Sequence, residues 1–372
     1  MKKNAHLAEA LVFLVFIGLF FVLNLALPDK DFSQQENRML QTAPKFTFSS
    51  LFEGKFTAAF EDYVTDQFAL RDRWTALKAR SELTSGKVEN NGVYLCENET
   101  LIEPYTAPKK GDLDFSLDAV NTLTETAGVP VYFALIPSPC EIWADKLPAG
   151  APNDSQKETI DFAYRYVNAN TVDMYSALTA HASEPIYYRT DHHWTTLGAY
   201  YGYTALAEAM GFSPVPLADY TPTVVTDSFY GTSFSSSGFS WVAPDSITSY
   251  VNQGDAVITN YPKGEPVNAS LYDESRLAVK DKYSYFYGGN TPMLTIETEN
   301  IDAPSLLILR DSYMDSLSPY LMAHFSEIHI LDLRYYKTSI RSYIEEHGID
   351  NVLVCYSVKN FATDSNLFLM AY

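Results

Sequence analysis

The chain has 372 residues, and 47% of them are apolar or aromatic, which is material for a large packed core and excludes disorder as its main state. Acidic residues outnumber basic ones 46 to 26, a formal charge of −20, and this is the opposite of what neutralising phosphates requires, so a nucleic-acid partner is not expected. Three cysteines are too few for a disulfide scaffold or a thiolate zinc domain.

Residues 10–27, ALVFLVFIGLFFVLNLAL, contain no charge over 18 positions. At about 1.5 Å of rise each they reach roughly 27 Å, the thickness of a bilayer core. One spanning helix is predicted. Lys2 and Lys3 precede it and Asp29, Lys30 and Asp31 follow it, so the positive-inside bias puts the N-terminus in the cytoplasm and the remainder outside. A cleaved signal peptide is the rival reading, but its apolar core is usually shorter and no clear A-x-A site follows. The expectation is therefore a single-pass anchor over 1–28 with an extracytoplasmic C-terminal domain, secreted if the segment is cleaved. Beyond residue 28 the chain has 24 basic and 45 acidic residues, a charge of −21, so the exported part is strongly acidic. Cys96, Cys140 and Cys355 lie far apart with no spacing that supports a disulfide, and they read as small buried apolar residues.

Residues 29–50 are polar and punctuated by proline, as a linker would be. From 51 to 83 the apolar positions Phe52, Phe56, Phe60, Tyr63, Phe68, Leu70, Trp74, Leu77 and Leu83 suggest two amphipathic helices broken near 66–69. The stretch 91–102, NGVYLCENETLI, alternates about a turn-rich centre and predicts a hairpin. Strands then alternate with helices: helix over 116–127, strand over 129–136, helices over 155–167 and 195–210. Three apolar runs at 305–309, 328–333 and 352–355 follow, separated by helical stretches near 316–325 and 338–347. This alternation predicts a mostly parallel sheet with helices on both faces. Residues of about 213–300 interrupt it and read as a long irregular or β-rich insertion. No repeat of 20 to 50 residues, Walker A run or G-x-G-x-x-G run is present.

Two stretches put nucleophile chemistry at element boundaries. Thr190-Asp191-His192-His193-Trp194-Thr195 stands immediately before a helix, and Leu309-Arg310-Asp311-Ser312-Tyr313 immediately after an apolar strand. Open α/β sheets bind ligands at the carboxyl ends of their strands. A serine hydroxyl there needs an imidazole to take its proton, and the imidazole needs a carboxylate to orient it. Asp191 and His193, two apart, face the same side if the segment is extended. Ser312, His193 and Asp191 therefore make a candidate catalytic triad. Each also has a plain structural reading: a serine after a strand is most often a helix cap, and His193 beside Trp194 can be a satisfied buried histidine. His192 reads as structural.

The Asp-His-His-Trp run, ENRML at 36–40, DQFALRDR at 66–73, DSY at 311–313 and LDLRYY at 331–336 together resemble the DHHW protein family. That family is similar to the SGNH-hydrolase-like domains of the alginate O-acetyltransferases, and the likeness covers nearly the whole exported part. In those acetyltransferases an Asp-x-His pair precedes the catalytic serine, and by position Asp191 and His193 match the pair and Ser312 the serine. The resemblance implies a three-layer SGNH-hydrolase-like domain over 51–372 and no organic cofactor or metal. Arg310 departs from the glycine of Gly-Asp-Ser, and the oxyanion donors of the family have no evident counterpart; the backbone amide of Ser312 or Tyr313 is the candidate in their place. Tyr313, Trp194 and Arg334 are the candidates for substrate binding, Arg334 because it follows the next strand.

What the resemblance implies for function is transfer of an acyl group to a cell-envelope or secreted polysaccharide through an acyl-serine. Acetyl donors are made in the cytoplasm, so a multipass membrane partner that delivers the acyl group is implied as well. An esterase or deacetylase would use the same triad, with water as acceptor. A noncatalytic polysaccharide-binding envelope protein is the reading from a different class, kept open by Arg310. Asp-His-His also occurs in manganese-dependent phosphoesterases, but adjacent histidines point different ways and the further acidic motifs of that family are not evident.

Overall fold

Runs of apolar residues form the centre of a large sheet in the computed structural model, which describes residues 2–109 and 111–372 and, within residues 2–5, only the backbone. The side chains of Lys2 and Lys3, on which the expected orientation of the first helix rests, lie outside the described set. The strands of this sheet are β1 (Val131–Ile136), β2 (Asn170–Val172), β3 (Val257–Asn260), β4 (Val267–Ala269), β5 (Met293–Glu297), β6 (Leu306–Arg310), β7 (Glu327–Leu331) and β8 (Asn351–Ser357). Their order is β4-β3-β5-β7-β6-β8-β1-β2. Strands β7, β6, β8, β1 and β2 run parallel, while β5, β3 and β4 add an antiparallel edge. All five residues of β6 and six of the seven in β8 are buried, the pattern of strands covered on both faces. The fold is mixed α/β with one large sheet.

Residues 213–300 supply three of the eight strands and thus lengthen the sheet. Burial alternates along β5, where Leu294 and Ile296 face inward, as a strand with one covered face requires. A separate antiparallel pair, Thr223–Phe229 with Asp245–Ser249, belongs to the same stretch. Helices Asp114–Thr126, Gln156–Tyr166, Thr196–Met210, Met314–Leu321 and Ile340–His347 occupy the intervals between strands. Thr196–Met210 begins at Thr195, whose side chain accepts from the Gly198 amide, and ends at Gly211 in the left-handed region. The predicted hairpin is present as Val93–Leu95 paired with Leu101–Ile102. Cys96, Cys140 and Cys355 are free and buried.

The chain divides into two compact units. The one just described comprises Gly92–Ser233 and Val242–Tyr372, and the other the residues up to Asn91 with Phe234–Trp241. The latter contains helices Lys2–Ala26, Lys55–Asp66 and Arg71–Thr84. Within it, residues 29–50 carry order that a free linker lacks: Phe32–Ser33 pairs with Arg38–Met39, and the Arg38 guanidinium donates to both oxygens of Asp66 at 2.9 and 2.5 Å. His6–Ala26 has a mean hydropathy of 2.4 and is long and apolar enough to cross a membrane, which suits an anchor and a signal sequence alike.

Candidate active site

The segment from Arg189 to His193 bends instead of extending, so Asp191 and His193 do not meet by facing one side of a strand. They meet through a local turn. Asp191 Oδ1 accepts from the His193 backbone amide at 2.9 Å and from His193 Nδ1 at 2.5 Å. The short Asp side chain bonding two residues ahead is the usual way this residue type stabilises a turn. The other oxygen, Oδ2, accepts from the Thr232 amide at 2.7 Å and the Thr232 hydroxyl at 3.0 Å. Burial alone would raise the Asp191 pKa, but the neighbouring His193 and His192 and these hydrogen bonds override it and hold the carboxyl well below the ordinary range.

A carboxylate only accepts, so Asp191 fixes the imidazole proton on Nδ1 and leaves Nε2 free to accept. Ser312 Oγ lies 2.8 Å from His193 Nε2, joining residues 119 apart in sequence. Ser312 lies two residues past the end of β6 and is half-buried. Its neighbour Asp311 is the fastener: Asp311 Oδ2 accepts from the Ser357 amide (2.8 Å), the Ser357 hydroxyl (2.7 Å) and Asn360 Nδ2 (2.8 Å), tying the end of β6 to the end of β8. Asp311 Oδ1 accepts from the Tyr313 amide at 3.1 Å. Of the two amides expected as oxyanion donors, that of Tyr313 is thus engaged, while the Ser312 amide meets no acceptor among the described residues.

The remaining predicted residues are spread over different roles. Trp194 is fully buried, donating from Nε1 to the Tyr313 carbonyl at 2.9 Å and the Ser316 hydroxyl at 3.0 Å. The scaffold encloses the ring there, and the glycine faces of the following helix make room for it: a Cβ on Gly202 would stand 2.8 Å from the Trp194 ring. Tyr313 packs its ring 4.9 Å from that of His193, and its hydroxyl donates to the His192 carbonyl. Arg334 forms a two-pronged pair with Asp332, at 2.9 Å from Nε and 2.6 Å from Nη2, and lines a separate cavity of about 230 Å³ with Asp311, Asn360 and Thr363. Arg310, which stands where the resemblance implies a glycine, is buried and directs its guanidinium to Asn290 Oδ1 (3.1 Å) and the Asp315 carboxylate (3.0 Å).

Several site residues carried no readable signal. Tyr283, from the inserted stretch, stacks on His193 with centroids 3.9 Å apart. Gly231 lets Asp191 approach, since a Cβ there would stand 2.2 Å from Asp191 Cβ. Thr232 opens the TSFSSSGF run, whose composition marks a loop but not a partner for an aspartate. A cavity of about 230 Å³ beside the triad is lined by Glu103, Ser138, His192, Thr232, Tyr313 and Lys359, among others. Lys359 and Glu103 pair there at 2.6 Å.

Asp191, His192 and His193 also cluster closely enough to suggest a metal site. Their atoms are already committed: both Asp191 oxygens take donors, His193 uses both nitrogens within the hydrogen-bonded chain, and His192 Nδ1 lies 2.6 Å from the Thr232 hydroxyl. These residues fit a proton relay better than a coordination shell.

A model of the family described as DHHW protein matches residues 116–331. The chain belongs to the DHHW protein family. Among solved structures this DHHW chain is similar to a DHHW family protein from Eubacterium siraeum, at 27% identity over 76% of this chain and 96% of that one, with a TM-score of 0.67. Bacillus cereus PatB1, solved with a sulfonyl adduct, shares the fold at 23% identity, covering 74% and 96% of the two chains with a TM-score of 0.62. A weaker likeness, at 13% identity and a TM-score of 0.47 over 73% and 93%, is to the O-acetyltransferase domain of Pseudomonas putida AlgJ. No curated protein matches the sequence.

Proposed function

We propose that this DHHW protein is an extracytoplasmic O-acetyltransferase that modifies a cell-envelope or secreted polysaccharide through an acyl-serine. The observation that carries the reading is the unbroken chain Ser312 Oγ, His193 Nε2, His193 Nδ1, Asp191 Oδ1, with links of 2.8 and 2.5 Å, at the carboxyl end of a central parallel strand. In this reading the sheet and helices form a three-layer SGNH-hydrolase-like domain within 51–372, residues 29–50 connect it, and residues 1–28 are the single-pass anchor. A multipass membrane protein supplies the acyl group.

His193 takes the Ser312 proton as the oxygen attacks the acetyl carbonyl of the donor. The Ser312 amide donates to the developing oxyanion. Collapse of the intermediate breaks the bond to the donor's leaving group, which receives the proton from His193, and acetyl-Ser312 remains. A sugar hydroxyl then gives its proton to His193 while attacking the ester, and collapse returns the proton to Ser312 and releases the O-acetyl sugar. Asp191 orients His193 and offsets its charge in both halves.

The test is mass analysis of the protein after incubation with an activated acetyl ester. One acetyl group on Ser312, absent in Ser312→Ala and His193→Ala, is expected. Added oligosaccharides should then accept the acetyl faster than water does; release to water alone would make the protein an esterase. A folded protein that forms no acetyl-serine and turns over no ester would overturn the enzymatic reading in favour of a binding protein.

A further inference from the structure

Four contacts bind the first helix to the turn between helices Lys55–Asp66 and Arg71–Thr84 and to the start of the latter. Phe20 stacks on Phe68 with centroids 5.6 Å apart. Trp74 meets Phe16 and Phe20 edge-on, at 6.1 and 5.3 Å. The Ala69 amide donates to Asn24 Oδ1 at 2.7 Å, and Asn24 is the one polar side chain in the uncharged run 10–27. A signal sequence bound for removal has no reason to complement the chain it leaves.

Depth follows from the helix rise. At about 1.5 Å per residue, Phe20 lies about 10 Å and Phe16 about 16 Å below the outer end of the run at Leu27. Raising the helix until Trp74 cleared the hydrocarbon would leave too few apolar residues to span it. The turn therefore accompanies the helix into the outer leaflet. Its polar residues suit that level: Arg73 and Asp72, with Arg71 paired to Glu36 at 2.7 Å, line one cavity with Leu27 and Pro28, which sets these charges at the helix end, where head groups lie. Leu70 is 48% exposed and Leu77 55% exposed, both apolar. From Tyr63, whose hydroxyl donates to Asp29 just past the run, touching rings continue through Phe60, Phe56 and Phe46 to Phe48. Charge fits as well. Residues 1–91 and 234–241 carry 11 basic and 11 acidic residues, so the whole −20 falls on the remainder, and this unit meets no repulsion from anionic head groups.

We infer that this unit is a membrane collar, with Phe68, Leu70 and Trp74 sunk among the outer acyl chains beside a retained anchor and Arg73 at the head groups. The occupant of the exposed apolar face is the lipid bilayer itself. The inference rests on the anchor reading given above.

The test reconstitutes the full chain into phospholipid vesicles whose acyl chains are brominated either near the head group or near the methyl end. The Trp74 contribution is the difference between the native chain and Trp74→Phe. Deep bromines should quench it at least as strongly as shallow ones, as expected for a ring level with Phe16 and Phe20. Leu70→Glu should weaken that quenching while thermal unfolding stays unchanged. Equal quenching of the native chain and Trp74→Phe, with the helix still resistant to alkaline extraction, would overturn the collar alone. Release of the chain by alkaline extraction would overturn the anchor and the collar with it.

Discussion

Tyr283 lies flat against His193, with ring centroids 3.9 Å apart and planes within 9° of parallel. From there its hydroxyl donates to the Ser312 carbonyl at 3.2 Å and to Ser316 Oγ at 3.3 Å, so one side chain touches both the imidazole and the backbone of the serine. An aromatic face favours a cation by about 1 kcal/mol, and the imidazole becomes one when it accepts the Ser312 proton. Tyr283→Phe keeps the stack and should lower kcat for an activated acetyl ester by no more than about fivefold. Tyr283→Leu loses stack and orientation and should lower kcat about 10- to 100-fold with little change in KM. Equal activity of the two variants would show that the ring only fills space.

Gly231 sets how closely the Thr232 loop approaches Asp191. A Cβ at this position would stand 2.2 Å from Asp191 Cβ and 2.3 Å from Oδ2, with no flexible chain end to give way. Gly231→Ala should therefore push the loop off, break the 2.7 Å bond from the Thr232 amide, and cost at least about a hundredfold in kcat for a destabilisation of only about 1–3 kcal/mol. Thr232→Val removes the hydroxyl bond at 3.0 Å but keeps the amide, so its loss should be nearer tenfold. Parallel ester kinetics and thermal melts check both. A Gly231→Ala enzyme with native turnover would mean that Asp191 does not need this support.

The parts of this arrangement that sequence reveals are those set by local pattern. Strands β6 and β8 read as apolar runs because both of their faces are covered, and Ser312 was conspicuous because it follows such a run. Asp191 and His193 were legible as a pair for a similar reason, although the turn that joins them was not. Tyr283 and Gly231 were silent because their importance comes from chain returning over a distance, in a stretch where neither hydrophobic period nor turn chemistry names a partner. Asp311 shows the same limit from the other side: its position beside Ser312 drew attention, but its three bonds to Ser357 and Asn360 depend on how β8 lies next to β6.

Trp194 belongs to the scaffold, and its variants should say so. The ring is fully buried and holds the helix Met314–Leu321 through bonds to the Tyr313 carbonyl and the Ser316 hydroxyl. Trp194→Ala should lower stability by about 3–5 kcal/mol, whereas Trp194→Phe loses mainly the two hydrogen bonds and should cost about 1–3 kcal/mol. KM for an oligosaccharide acceptor should stay unchanged in Trp194→Phe. A large rise in KM without loss of stability would return Trp194 to the substrate.

Strong acid should weaken the Arg38 and Asp66 pair. The two hydrogen bonds from Arg38 hold the Asp66 carboxyl at about 2 against the cost of burial, and the Gln41 amide assists from 2.9 Å. The folded pKa is below the unfolded value near 3.9, so the unfolded chain binds more protons between the two. The contribution is therefore complete above about pH 4 and fades as the pH falls toward 2. Because Arg38 is partly exposed, about 1–2 kcal/mol is the reasonable size after solvent screening. Hydrogen exchange at the Gln41 amide should report it: protection in the native protein should decline from pH 4 to pH 2, beyond the intrinsic change in exchange rate. Asp66→Asn cannot titrate and should begin less protected and stay level across the same range. An acid-dependent loss of equal size in Asp66→Asn would place the sensitive group elsewhere in this unit.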